Sequence, residues 1–227
     1  METSSGLDSV QYFLKICVEL FNQKHRFMRT KIKFLVVLSL VVVTFMAFKP
    51  VDKKVVLIDA GHGGKDVGAD ILGFEEKTIT EAVANKIKEL NKNENVEIVL
   101  LRDGDLSMDL KERTTIINKL KPDLVISLHI SANPNVTSNG VRAYISSRKI
   151  FYDQSKEIAE NVIDKIAATG NLTKRHVSEA PFYILKNADC PMMHLEMGFL
   201  SNENDRNYIT SEKGQIEIAE KILESLK

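Results

Sequence analysis

Two histidines lie where predicted strands end. His62 follows the apolar run VVLIDAG, and His129 closes the run LVISLH. In parallel α/β sheets, functional groups collect just beyond the carboxyl ends of the strands, so we expect both imidazoles at one edge of a sheet. A third ligand should be a carboxylate, and Glu75 and Glu76 stand at the start of the next predicted helix. Two histidines and one glutamate suit zinc and leave a fourth position for water.

Water bound to such a zinc site could attack a substrate, as in a zinc hydrolase. A zinc hydrolase also needs a base that takes a proton from the attacking water. Glu196 is our candidate, because it lies in the apolar segment MMHLEMGF, where an unpaired carboxylate would be costly. His194 shares a strand face with Glu196, since side chains alternate between faces with a period of two. We favour His194 as a partner of Glu196 over a rival metal ligand. Arg102 is a further candidate for a residue that supports the metal ligands without binding the metal itself.

Each of these residues also has a purely structural interpretation. A lone histidine at a strand end is more often a hydrogen-bonded structural residue than a ligand. Glu76 could simply favour the positive end of a helix, and Glu75 could serve as the ligand in its place, because spacing alone does not separate them. Glu196 could instead belong to a buried ion pair, for which the candidate partners are Arg102, Arg113 and Arg142.

The elements that must position these residues are typical of one α/β domain. After Pro50, short β-branched runs alternate with longer helical stretches, which predicts a mostly parallel twisted sheet of about six strands with helices on both faces. Apolar repeats at helical spacing predict helices within residues 79–90, 108–120, 158–166 and 216–226. The six predicted strands are Lys54–Ala60, Val96–Arg102, Asp123–His129, Gly140–Ser146, Phe182–Leu185 and Met192–Met197.

The beginning of the chain has a different character. Residues 34–48 form an uncharged apolar run preceded by the basic stretch MRTKIK, which predicts a secretory signal or a short membrane anchor over residues 28–49. The basic side should stay in the cytoplasm, so we expect export to the periplasm or the outer face of the inner membrane. Residues 1–27 are interpreted as an N-terminal extension or the result of a misassigned start, and residues 53–227 as the functional domain.

The charge balance gives no electrostatic argument for a nucleic-acid partner. The chain has 31 basic and 31 acidic side chains, of which residues 1–54 contribute nine basic and four acidic ones. The remainder is therefore mildly acidic, the opposite of what binding to a phosphate backbone requires. Cys17 and Cys190 provide neither a disulfide framework nor a thiolate metal site.

The candidate residues sit in a set of motifs that resembles a known family, the zinc-dependent type 3 N-acetylmuramoyl-L-alanine amidases, which cleave peptidoglycan. The similarity extends over roughly residues 54–226, with order and spacing preserved. Its main pieces are VLIDAGHGGKD from Val56, Glu76-Lys77, LRD from Leu101, SLHISAN from Ser127, Gly140 and EMGFLSN from Glu196.

The resemblance implies an assignment residue by residue. The zinc ligands would be His62, Glu76 rather than Glu75, and His129, and the catalytic glutamate would be Glu196. It also implies Zn²⁺ as cofactor and peptidoglycan as substrate, with hydrolysis of the amide that joins N-acetylmuramic acid to L-alanine of the stem peptide.

Two other functions remain open at this point. The chain could be another zinc-dependent cell-wall peptidase, or a non-catalytic wall-binding module on the same fold. The sequence identifies no protein activator, and residues 34–48 could tether the domain to a membrane.

Overall fold

The computed structural model describes residues 53–226 and, before them, only positions 15, 19, 31, 33, 35, 38 and 39. The chain divides into two units, Met1–Val51 and Asp52–Lys227. Apart from those seven positions, the predicted N-terminal extension and the predicted signal or anchor lie outside the described residues. Within the part that is described, no helix is long and apolar enough to span a membrane.

Six strands form the central sheet of the second unit. The spatial order of the sheet is β4 (Val96–Leu100), β1 (Lys54–Ala60), β5 (Leu124–Ser131), β8 (Met192–Phe199), β6 (Val141–Ile145) and β7 (Lys174–Glu179). Four neighbouring pairs, β4–β1, β1–β5, β5–β8 and β6–β7, are parallel, whereas β6 runs antiparallel to β8. A separate two-stranded hairpin is formed by β2 (Asp70–Ile71) and β3 (Phe74–Glu75).

Helices cover both faces of this sheet. Val56 and Ile58 belong to an apolar cluster on one face, whereas Leu57, between them, belongs to the cluster on the other. Because successive side chains of a strand point to opposite faces, a strand covered on both sides is apolar throughout. The first face packs against α1 (Glu76–Leu90), α3 (Lys149–Ala167), α5 (Glu203–Ile209) and α6 (Glu212–Ser225). The second face packs against α2 (Leu110–Leu120) and α4 (Tyr183–Asn187). The predicted α/β architecture with a mostly parallel six-stranded sheet is confirmed.

One of the six predicted strands is wrong. Most of Phe182–Leu185 lies in helix α4, and the remaining strand of the sheet is β7 instead. A short apolar run does not by itself separate a strand from a helix. Ile184 and Leu185 are both buried in the same apolar cluster, which the alternation of a strand would prevent. Strand β7 has the polar sequence KRHVSE and lies at the sheet edge, where burial on both faces is not required.

Candidate active site

The carboxyl ends of β1, β5 and β8 meet at one edge of the sheet and open into a cleft of about 730 Å³. His129 on β5 lies opposite Glu196 on β8 in the strand register. His62 follows the end of β1, and Glu76 is the first residue of α1. All four side chains line the cleft, so the structure brings together the residues that the sequence analysis singled out at separate places in the chain.

Three of these side chains converge closely. His62, Glu76 and His129 each offer a ligand atom, and these atoms all lie within 4.8 Å of one another. Oε1 of Glu76 is 3.1 Å from Nε2 of His62 and 2.9 Å from Nδ1 of His129. Glu75 lies in hairpin strand β3 instead, with its carboxylate 3.8 Å from Nζ of Lys77. Two imidazole nitrogens and a carboxylate oxygen in this arrangement are a donor set that fits one zinc ion.

Two glycines allow the three side chains to approach one another. A Cβ atom on Gly61 would lie 2.5 Å from Cε1 of His129, and one on Gly68 would lie 2.6 Å from Oε2 of Glu76. His62, between them, has a φ of 60°, a left-handed conformation that is unfavourable for a residue with a side chain. The loop after β1 therefore depends on glycine at both positions and on contacts that hold the His62 backbone.

Two buried arginines provide those backbone contacts. Arg102 donates from Nε to the carbonyl oxygen of Ala60 at 3.0 Å. Arg113, on α2, donates to the same oxygen at 2.9 Å and also to the carbonyl oxygen of His62. Arg113 forms a buried ion pair with Asp59 as well. Arg102 thus supports the loop after β1 that carries His62, the ligand loop, by hydrogen bonding to the backbone of that loop. Arg113 has a similar role, which the sequence analysis did not identify.

Asp66 orients the ring of His62, a contact that the sequence analysis also missed. Its Oδ2 lies 2.8 Å from Nδ1 of His62, which leaves Nε2 facing Glu76. A carboxylate on the distal nitrogen of a histidine is the usual support of a metal ligand. The signal in the sequence was Asp66 four residues after His62, but only the folded loop shows that the two side chains meet.

The carboxylates of Glu76 and Asp66 stabilise positive charge within the cluster of His62, Glu76 and His129. Burial opposes protonation of His62, but hydrogen bonds and charge from Glu76 and Asp66 outweigh it and raise the pKa of His62 to about 9. Burial also works against ionisation of Glu76, yet hydrogen bonds from His129 and His62 hold the pKa of Glu76 well below its usual value. An ionised, buried carboxylate between two imidazoles attracts a cation.

Glu196 lies beside this cluster and is held by two neighbours. Its Oε1 is 3.1 Å from Nε2 of His194, and its Oε2 accepts a hydrogen bond from Ser131 at 2.9 Å. Burial would raise the pKa of Glu196, but the contacts with His194, His129 and Ser131 lower it, so the carboxylate is ionised. Burial lowers the pKa of His194, so its neutral ring donates to Glu196. This position favours His194 as a partner of Glu196.

The alternative of a buried ion pair between Glu196 and an arginine finds no direct contact among the residues that the structure describes. Arg102 pairs with Glu81 at 2.6 Å, and Arg113 pairs with Asp59. Arg142 reaches Glu196 only through Ser131, to which it donates at 2.7 Å. The carboxylate of Glu196 is therefore stabilised by a histidine and a hydroxyl group.

Known proteins are similar to this chain in sequence and in fold. The family model described as N-acetylmuramoyl-L-alanine amidase matches residues 56–227. The Bacillus subtilis protein YqiI is 29% identical over 180 residues, which cover 79% of this chain and 86% of YqiI. The structure of an N-acetylmuramoyl-L-alanine amidase from Clostridium difficile 630 matches with a TM-score of 0.72 and 29% identity, over 77% of this chain and 95% of that one. The catalytic domain of CwlV, an N-acetylmuramoyl-L-alanine amidase from Bacillus (Paenibacillus) polymyxa var. colistinus, matches with a TM-score of 0.70 and 31% identity, over 76% and 96%.

Proposed function

Because the chain belongs to the N-acetylmuramoyl-L-alanine amidase family of peptidoglycan hydrolases, we propose that residues 53–227 form a zinc-dependent catalytic domain. It hydrolyses the amide bond between N-acetylmuramic acid and L-alanine of the stem peptide. The observation that carries this proposal is the convergence of His62, Glu76 and His129 within 4.8 Å, in a cleft that Glu196 also lines.

His62, Glu76 and His129 would hold the metal. Two histidine nitrogens and one carboxylate oxygen form the ligand set of several catalytic zinc sites. When bound, zinc would polarise the scissile carbonyl group and make water acidic enough to attack near neutral pH. Asp66 fixes the ring of His62, and Arg113 fixes its backbone, so the ligands are held in place before the metal binds.

Glu196 would move the proton during the reaction. Its carboxylate accepts a proton from water as the water oxygen bonds to the carbonyl carbon. The carbon–nitrogen bond then breaks, and the same proton passes to the amine nitrogen of the leaving alanine. His194 and Ser131 each hold one carboxylate oxygen, which keeps the base oriented toward the cleft.

The substrate lies outside the cytoplasmic membrane, so this function requires export. We propose that residues 28–49 act as the signal, which is either removed or kept as a tether through residues 34–48. The domain then acts in the periplasm or at the outer face of the membrane.

Digestion of purified cell wall by the purified protein, with its zinc content measured beforehand, tests the function. An amidase releases peptides with a free N-terminal L-alanine and leaves intact glycan strands, which mass spectrometry detects. Cleavage within the peptide would identify a peptidase instead. Binding to the wall without release of new amines, with zinc supplied, would identify a wall-binding module.

A further inference from the structure

Arg142 occupies the position across Glu196 from the metal ligands. In the strand register, Glu196 on β8 lies between His129 on β5 and Arg142 on β6. Because β6 is antiparallel to β8, Arg142 near its beginning reaches the same sheet edge as the ends of the parallel strands. Neighbouring strands are about 4.8 Å apart, so the strand that bears Arg142 runs about 10 Å from the strand that bears His129.

Arg142 lines the cleft, and its side chain bonds to a hydroxyl group and has no acidic partner in the described part of the chain. Its Nη2 donates to Oγ of Ser131, and its Nε is buried and has no hydrogen-bond partner there. The guanidinium carbon lies 5.1 Å from the ring centres of both Tyr144 and Phe199, so two aromatic rings hold the group in place. The other arginine that lines the cleft, Arg113, is neutralised by Asp59.

An unpaired guanidinium group in a cleft is suited to bind a carboxylate. Its planar nitrogens match the two oxygens of that group, and stacking on aromatic rings lets it keep its charge with little hydration. Arginine remains protonated at all relevant pH values, so the charge is permanent. The cleft thus offers one position for a metal and, on the other side of Glu196, one position for an anion.

The chemistry of the substrate defines which part of it can supply the anion. The carboxyl group of the muramic acid lactyl unit is consumed in the amide that is cleaved, so the free carboxylates belong to the peptide. Two extended residues span about 7 Å. With the scissile carbonyl at the metal ligands, the α-carboxyl group of the residue after L-alanine can therefore reach the neighbourhood of Arg142.

We propose that Arg142 binds a free carboxylate of the leaving peptide and makes the enzyme prefer stem peptides whose second residue has an unamidated α-carboxyl group. This inference rests on the proposed amidase function and adds a selectivity to it. Arg142 recognises the substrate, whereas the ligand set and Glu196 carry out the hydrolysis.

The test compares two monomeric muropeptides that differ only in whether the α-carboxyl group of the second residue is free or amidated. Kinetics of the zinc-loaded, purified protein are measured for the native chain and for Arg142→Gln. Arg175→Gln is the matched control, because Arg175 also lies over the ring of Phe199, at 5.4 Å, but does not line the cleft. Arg142→Lys tests whether charge without the planar group is sufficient.

The native protein should hydrolyse the free-acid substrate with a kcat/KM about tenfold to a hundredfold higher than the amidated one, the usual strength of a hydrogen bond to a charged group. Arg142→Gln should lose this preference, mainly through a higher KM for the free acid, and Arg175→Gln should keep it. An equal fall in kcat on both substrates would assign Arg142 to positioning Glu196 through Ser131 and overturn the proposal. Equal rates on both substrates in the native protein would also overturn it. Absence of hydrolysis of either substrate would instead reject the amidase function.

Discussion

Glu196 is an ionised carboxylate in a buried strand, and its state depends on two particular neighbours. His194 donates to one oxygen and Ser131 to the other. Ser131 in turn accepts a hydrogen bond from Arg142, so a hydroxyl group separates the base from a permanent positive charge. A base fixed in this way accepts a proton without having to reorganise solvent first, which is the condition for efficient proton transfer.

Replacement of Glu196 by glutamine should separate metal binding from catalysis. Glutamine preserves the shape of the side chain but cannot accept the proton, so we expect turnover of muropeptide to fall about a hundredfold or more. Zinc content, measured by atomic absorption, should remain that of the native protein, since Glu196 is not among the three convergent ligands. Glu97→Gln, at an exposed position on β4, is the control and should leave both quantities unchanged. Undiminished turnover in Glu196→Gln would remove Glu196 from the mechanism.

Replacement of Asp66 by asparagine should weaken the metal site without removing a ligand. The amide can still contact Nδ1 of His62, but it carries no negative charge that would make the imidazole ring of His62 a stronger metal ligand. Loss of such a supporting carboxylate typically reduces metal affinity about 10- to 100-fold. Competition with a zinc-binding dye measures the affinity, and Asp153→Asn, on the exposed side of α3, provides the control. Equal zinc affinities for the two variants would contradict a supporting role of Asp66.

At the scale of elements, burial on both faces decided which strands were predictable. Strands β1, β5 and β8 lie inside the sheet and are apolar almost throughout, and the sequence analysis found all three, although β5 and β8 continue two residues further than expected. The edge strand β7 is polar and escaped prediction. The helix α4 is too short for an apolar repeat to reveal it, so its buried pair Ile184 and Leu185 was interpreted as part of a strand.

The candidate site, too, was predictable from the sequence only in part. His62 and His129 could be proposed from the sequence because each lies at the end of an apolar strand, where function collects. Glu196 could be proposed because an unpaired carboxylate within an apolar segment would be costly. The choice of Glu76 over Glu75 came from the family resemblance, and the structure adds the physical reason, since Glu75 is part of the hairpin. Contacts between residues far apart in the chain, such as Ser131 with Glu196 at a separation of 65, leave no signal in a single sequence.

Helix α2 stabilises the ligand loop through Arg113, so breaking that connection should affect both stability and metal binding. In Arg113→Met the buried Asp59 loses its partner, and removal of one member of a buried pair costs about 3–5 kcal/mol of unfolding free energy. Zinc affinity should fall as well, because the carbonyl oxygen of His62 loses its donor.

The same helix supplies a control for that variant. Asp109 caps α2 by accepting a hydrogen bond from the amide of Glu112 at 2.8 Å. Asp109→Ala should lower the unfolding free energy, measured by urea denaturation of the metal-free protein, by about 1 kcal/mol. It should keep native zinc affinity. If both variants bound zinc as tightly as the native protein, Arg113 would be a purely structural residue.

At the scale of the whole molecule, the proposed metal would connect distant parts of the chain. His129 and Glu76 are 53 residues apart in sequence, and they lie on different elements. An ion that binds only when these elements are folded together stabilises the entire domain, because the unfolded chain does not hold the ligands in register.

Zinc should therefore raise the thermal unfolding temperature of the metal-free protein. A free zinc concentration a thousand times the dissociation constant contributes about 4 kcal/mol to the unfolding free energy. Calorimetry should show the increase with Zn²⁺ and its reversal by a chelator, and Mg²⁺ should have little effect because it prefers oxygen ligands. His129→Ala should abolish the response to zinc. A response that persists in this variant would mean that the ion binds elsewhere.

The parallel strands begin at the end of the domain that lies opposite the cleft, and this end is where the domain can be attached to a surface. Lys54 and Leu124 begin β1 and β5, and together with Ser225, the last residue of α6, they line one depression. The seven residues of β1 place this end roughly 20 Å from the cleft edge. Immobilisation of the domain on a bead through the residues next to Lys54 or next to Ser225 would thus leave the cleft facing outward, free to meet an insoluble polymer.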